Sequence, residues 1–178
     1  MNRNFLLLSG VGLVSLLAGV LAFKLVVPAT ADRPSSAPAA DIELHSISLA
    51  DLDGNDTVLS DWQTDLLVVN FWAPWCAPCR REIPALIEIQ QAYAARGVRI
   101  IGIAFDGEDA VRRFADEYGI NYPLFLTGNA SAMYNAAFDN PSGSLPYTAI
   151  VDREHRILFQ HNGELPSQQL RRQLDSFL

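Results

Sequence analysis

A chain of 178 residues with 13 Lys+Arg, 20 Asp+Glu and a net charge of −7 has room for one globular domain and an extension. The acidic balance excludes nucleic acid as a natural partner, because phosphate backbones demand a basic face. Residues 5–23, Phe5 to Phe23, carry no charge and follow Arg3 and the amino terminus. As a helix they reach about 28 Å, close to the ~30 Å hydrocarbon core, so residues 1–27 read as a membrane anchor. The positive flank keeps the N-terminus in the cytoplasm and sends the remainder across the inner membrane to the periplasmic side, as a single-pass protein. The alternative is a cleaved signal peptide with Ala29-Thr30-Ala31 as its small-residue site. Either way the remainder lies outside the cytoplasm, where disulfides persist.

Residues 28–40 (PATADRPSSAPAA) are Pro/Ala/Ser-rich and read as a flexible linker. A domain over 41–178 follows. Asp41 to Leu59 alternates apolar and polar residues around the turn signal Asp53-Gly54-Asn55, predicting a β-hairpin. Leu66 to Trp72 is a nearly continuous apolar run, as expected of a central strand buried on both faces. From Ala77 a helical pattern buries Ile83, Leu86, Ile87, Gln90, Tyr93 and Ala94, with Pro84 inside it and Gly97 as its stop. Val98 to Phe105 predicts a second buried strand. Glu108 to Tyr118 predicts a helix burying Val111, Phe114, Ala115 and Tyr118. A short strand over 122–126, a short helix over 130–138 and a loop over 140–144 come next. Strands over 148–151 and 157–160 form a hairpin, and a last helix capped by Ser167 buries Leu170, Leu174 and Phe177. This order predicts an α/β fold whose first βαβ unit is parallel, with antiparallel strands added to make a mixed sheet.

The chemistry is concentrated in Trp75-Cys76-Ala77-Pro78-Cys79, which holds the chain's only two cysteines. Two thiols at this spacing can close into a disulfide and reopen, the first acting as thiolate nucleophile. A strand feeding directly into CxxC and a helix puts Cys76 at the helix N-terminus, where unpaired N–H groups favour thiolate. Arg80 and Arg81 add positive charge within a turn. Cys79, almost one turn further in, is the more buried thiol and resolves the mixed disulfide. A zinc site would need four ligands, and His45, His155 and His161 show no local pairing. Haem attachment would need histidine where Arg80 stands. No metal and no cofactor are expected.

The run VVNFWAPWCAPCRREIP, with Ser144-Leu145-Pro146-Tyr147-Thr148, resembles the thioredoxin-like superfamily and its TlpA/ResA-like branch of membrane-anchored thiol-disulfide oxidoreductases. The resemblance covers Asp41 to Leu178 and implies a thioredoxin fold with an N-terminal β-hairpin and a helical insertion. It further implies that Pro146 is cis and faces the cysteines and that Leu145 offers its backbone to substrate. Trp75, beside the nucleophile, reads as a solvent-facing substrate platform, with a packing role as the alternative. The aspartate of thioredoxin six residues before the first cysteine is replaced by Asn70, and the accompanying lysine has no counterpart. Glu82 matches the glutamate of the TlpA/ResA-like branch and is the candidate for proton exchange with Cys79; an ordinary first-turn glutamate is the competing reading.

The dipeptide Ala77-Pro78 resembles that of reducing members, whereas strong oxidants carry histidine there. The resemblance therefore implies reduction of disulfides in exported proteins, with electrons from a membrane-embedded thiol carrier. The alternatives are a disulfide oxidase or isomerase, or a dedicated cytochrome c-type biogenesis thioredoxin. Members of the last type carry glutamate after the cis-proline, where this chain has Tyr147. A thiol peroxidase would place threonine three residues before its cysteine, where Ala73 stands.

Overall fold

In the computed structural model, residues 43–178 are described. The anchor at 1–27, the linker at 28–40 and the first two residues of the expected hairpin lie outside the described residues. Strands β1 (Ser48–Asp51) and β2 (Asp56–Val58) form that hairpin, antiparallel and in register Leu49 to Thr57. Asp51 shapes the turn: its carboxylate accepts the Asp53 and Asn55 backbone N–H groups and the Asn55 side-chain amide. These bonds hold the Asp51 carboxyl below its ordinary range, the Asn55 amide foremost.

Beyond the hairpin come β3 (Leu66–Trp72), α1 (Ala77–Tyr93), β4 (Val98–Ala104), α2 (Glu108–Tyr118), β5 (Leu124–Leu126), α3 (Ser131–Ala137), β6 (Tyr147–Asp152), β7 (Ile157–Asn162) and α4 (Ser167–Phe177). The seven strands make one mixed sheet in the order β2-β1-β5-β4-β3-β6-β7. Pairs β3/β4 and β4/β5 are parallel, and all others are antiparallel. The N-terminal hairpin is thus part of the main sheet, docked on β5 through Ala50 and Leu126. Nothing local in its sequence encodes that docking.

Every residue of β3 is buried, and alternation along it separates two cores. Leu66, Val68 and Trp72 point to one face, where Ile83, Leu86 and Ile89 of α1, Val111 and Phe114 of α2, and Leu170 and Leu174 of α4 cover them. Leu67, Val69 and Phe71 point to the other, under Tyr134 and Phe138. Asn70 shares the parity of Val68 and Trp72, so its polar side chain lies on the face covered by α1.

Helix α1 carries Pro84 in its interior, which leaves the Arg80 carbonyl without its usual donor. It ends in a 3₁₀ turn, Ala94–Arg96, closed by Gly97 at φ +81°. Two expectations at the chain's end need correction. Ser167 is the first residue of α4 and makes no capping bond; Pro166 occupies the cap. Phe177 is 37% exposed, and among the apolar residues of α4 only Leu170 and Leu174 reach the core. Ala115 and Tyr118 of α2 are half-buried at the rim of the core.

Candidate active site

Cys76 is the N-cap residue of α1, in extended conformation, and its sulfur accepts the Cys79 backbone N–H at 3.3 Å. Charge developing on that sulfur meets a helix N-terminus directly. The two cysteines form a disulfide with Cα atoms 5.3 Å apart. Cys76 retains 6% exposure and Cys79 none, so an incoming sulfur can meet only the former. Trp75 stands out beside it at 67% exposure, whereas Trp72 is fully buried.

The two arginines after the pair are committed elsewhere. Arg80 donates to the Tyr118 hydroxyl through Nε and Nη2 at 3.2 and 3.1 Å and lies over the Phe114 and Tyr118 rings. Arg81 pairs with Glu164 at 2.6 Å. The thiolate-favouring element in direct contact with the sulfur is therefore the helix start rather than these side chains.

The Leu145–Pro146 peptide is cis. Register places it: Tyr147 pairs with Phe71, so Pro146 lies beside the end of β3, the segment that leads into the cysteines. Pro146 is buried and its carbonyl accepts the Gly163 N–H at 2.8 Å. Leu145 is half-buried where the two cores meet, and among the described residues neither its N–H nor its C=O has a hydrogen-bond partner. That leaves one backbone donor and one acceptor free for an extended chain. Tyr147 is buried, and its hydroxyl donates to the Phe138 carbonyl.

Glu82, three residues after Cys79 in α1, is buried with 4% exposure. Its Oε1 accepts from Asn70 Nδ2 at 2.7 Å and its Oε2 from the Leu165 backbone N–H at 3.0 Å. Burial pushes the carboxyl up to about 7 despite these two donors. Asn70 also donates to Thr148 Oγ1 at 3.1 Å. The network thus draws on β3, α1, β6 and the segment before α4. Sequence reasoning singled out Glu82 and noted Asn70 as a lost base. It missed Thr148 and the Leu165 N–H, because the first is a strand residue like any other and the second has no side-chain signal. Among the described residues no cluster of His, Cys, Asp and Glu fits a metal ion.

The AhpC/TSA family profile matches residues 36–160. The chain belongs to the AhpC/TSA family. It is 32% identical over 133 residues to the thioredoxin-like protein YneN of Bacillus subtilis (strain 168), covering 72% of this chain and 74% of that one. It is 29% identical over 171 residues to the thiol-disulfide oxidoreductase ResA of Bacillus thuringiensis (strain Al Hakam), over 96% and 95% of the two chains. Among solved structures, the thioredoxin-related protein from Neisseria meningitidis serogroup B superposes with a TM-score of 0.66 at 28% identity, covering 72% of this chain and 97% of that one. This member of the AhpC/TSA family is a thiol-disulfide oxidoreductase with a thioredoxin fold, and it carries a CxxC pair, Cys76–Cys79, closed as a disulfide.

Proposed function

We propose that this oxidoreductase works as a reductase of disulfides in exported proteins, anchored by residues 5–23 with its catalytic domain on the periplasmic side. Support for the placement is the uncharged N-terminal run behind Arg3. Among the described residues no helix is long and apolar enough to cross a membrane. Support for the direction is the Ala77-Pro78 dipeptide, which lacks the histidine of strong oxidants. A reductase outside the cytoplasm needs electrons, and a membrane-embedded thiol carrier is the partner this reading requires.

The observation that carries the reading is the unequal burial of the two sulfurs, with a buried carboxyl three residues further along α1. In the reduced protein the Cys76 thiolate attacks a substrate disulfide, forming a Cys76–substrate bond and releasing one substrate thiolate. Glu82 as carboxylate takes the proton of the Cys79 thiol. The Cys79 thiolate then attacks Cys76 Sγ, closes the Cys76–Cys79 disulfide and expels the second substrate thiolate. Two electrons pass from the protein to the substrate, and Glu82 keeps the proton until solvent or product removes it. Trp75, Leu145 and Pro146 form the substrate-facing surface, with Leu145 pairing to the extended substrate backbone.

The deciding experiment is the redox potential of the Cys76–Cys79 couple. A value near −270 mV supports the reductant; one near −120 mV overturns it in favour of an oxidase. A dedicated cytochrome c-type biogenesis role has less support, since the residue after Pro146 is a buried tyrosine in place of an acid. The peroxidase alternative lacks its threonine: Ala73 is buried and has no hydroxyl.

A further inference from the structure

Among the described residues the Asn70 amide is the one side chain hydrogen-bonded to Glu82, and half of it is unused. Nδ2 serves both Glu82 Oε1 and Thr148 Oγ1, while the buried Oδ1 has no partner. This arrangement suits a carboxylate, which only accepts. It does not suit the carboxylic acid. Leu165 N–H is fixed by the backbone and occupies Oε2, so the added proton belongs on Oε1, facing Asn70. An N–H and an O–H then oppose each other across 2.7 Å. Turning the amide by half a revolution about its last bond removes the conflict. Oδ1 then accepts from the Glu82 O–H and from the Thr148 O–H, and the number of hydrogen bonds is unchanged.

We propose that Asn70 is a positioning residue that turns its amide over with each proton Glu82 gains or loses, donating from Nδ2 to the carboxylate and accepting at Oδ1 from the acid. Thr148 follows by rotating its hydroxyl from acceptor to donor. The proton balance is that of one exchange: the Cys79 thiol and the Glu82 carboxylate become the Cys79 thiolate and the Glu82 acid. Aspartate at this place could serve only the acid form as a proton acceptor, and leucine neither. Asparagine holds the same carboxyl geometry through both halves of the cycle, so the proton moves without repacking the buried site. The proposal rests on Glu82 as the proton partner of Cys79.

Other polar groups also face Glu82. Tyr122, from the segment before β5, is held as phenol by burial, well above the ordinary tyrosine range. Glu164 repels the carboxylate but is exposed and paired with Arg81 of α1. From β3 and β6 only Asn70 and Thr148 make hydrogen bonds into this network, and neither titrates. The Cys76–Cys79 pair, at the start of α1, does not titrate while oxidised.

The test is nuclear magnetic resonance on the oxidised full-length protein in detergent micelles, with labelled asparagine and glutamate. The Asn70 amide protons should show a contact to the Thr148 methyl at pH 9 and lose it at pH 5. The midpoint should match that of the Glu82 carboxyl carbon. Glu82→Gln should hold the amide in its accepting orientation at both pH values. The same contact at pH 5 and pH 9, or a transition that survives in Glu82→Gln, overturns the proposal. In Asn70→Leu the carboxylate loses a charge-assisted donor, and the Glu82 midpoint should rise by about one unit or more, a tenfold change in proton affinity. An unmoved midpoint also overturns it. If the amide turns but the pH profile of Cys79 reactivity is the same in Asn70→Leu and wild type, the switch stands and the Glu82–Cys79 exchange fails.

Discussion

Glu82→Gln tests the buried carboxyl through stability alone, without reference to substrate. Burial raises the group from 4.5 to about 7, so the folded protein binds this proton more tightly than the unfolded chain. A raised carboxyl contributes its full stability below about 4.5, loses it as pH climbs, and leaves the charged form disfavoured above about 7. At about 1.4 kcal/mol per pH unit, the displacement amounts to about 3 kcal/mol of folding free energy. Glutamine imitates the protonated form, since its carbonyl can take the Leu165 N–H and its amide can donate to a turned Asn70. Equilibrium denaturation of the oxidised proteins in urea should therefore give similar stabilities at pH 5. At pH 8 the variant should be the more stable, by about 3 kcal/mol as an upper figure. Every other titrating group is common to both proteins and cancels in the difference. Parallel stability curves from pH 5 to 8 would refute the argument, because they would mean that the carboxyl ionises in the fold as freely as in water.

Four further outcomes are expected. Cys76→Ser should abolish turnover of a protein disulfide, while Cys79→Ser should accumulate a mixed disulfide visible by mass on denaturing gels without reductant. Trp75→Ala should change the denaturation midpoint by no more than about 0.5 kcal/mol, as for an exposed side chain, yet raise KM for a folded disulfide substrate and leave a small aromatic disulfide unaffected. Gly102→Ala places a methyl 2.7 Å from Leu124 Cδ2 and 2.9 Å from Trp72 Nε1. Leu124 and Trp72, both buried, would have to shift, and the change should cost about 1–3 kcal/mol by urea denaturation. Tyr122→Phe removes a buried hydroxyl that has no partner among the described residues, and should leave stability equal or raise it by about 1–2 kcal/mol in the same assay.

The parts of this molecule that the sequence announces are those written in local chemistry. β3 shows as an unbroken apolar run because both its faces are covered, and α1 shows as periodicity between Cys76 and Gly97. The cis-proline region showed only through resemblance, since an X-Pro pair in a loop carries no local mark of its isomer. The docking of β1 on β5 was silent, because Ala50 and Leu126 are 76 residues apart and neither is unusual for a strand. Ser167 looked like a cap because serine before an amphipathic run is a common start signal. Pro166 takes the place instead, its fixed φ of −58° already suiting the turn into the helix.

Asn70 shows most clearly where the sequence stops speaking. As a letter it marks a missing base: it cannot take the proton that an aspartate would. In the fold its neighbours give it a different part. Parity along β3 turns it towards α1, and one turn past Cys79 that helix presents Glu82 at 2.7 Å. The segment before α4 then locks the far carboxylate oxygen through the Leu165 N–H. In the proposed cycle the base stands on the helix, and the strand residue accommodates both of its charge states. An amide does this because its two ends are nearly the same size and opposite in hydrogen-bonding sense. In the proposed cycle, proton handling is therefore divided between a carboxyl that titrates and an amide that turns.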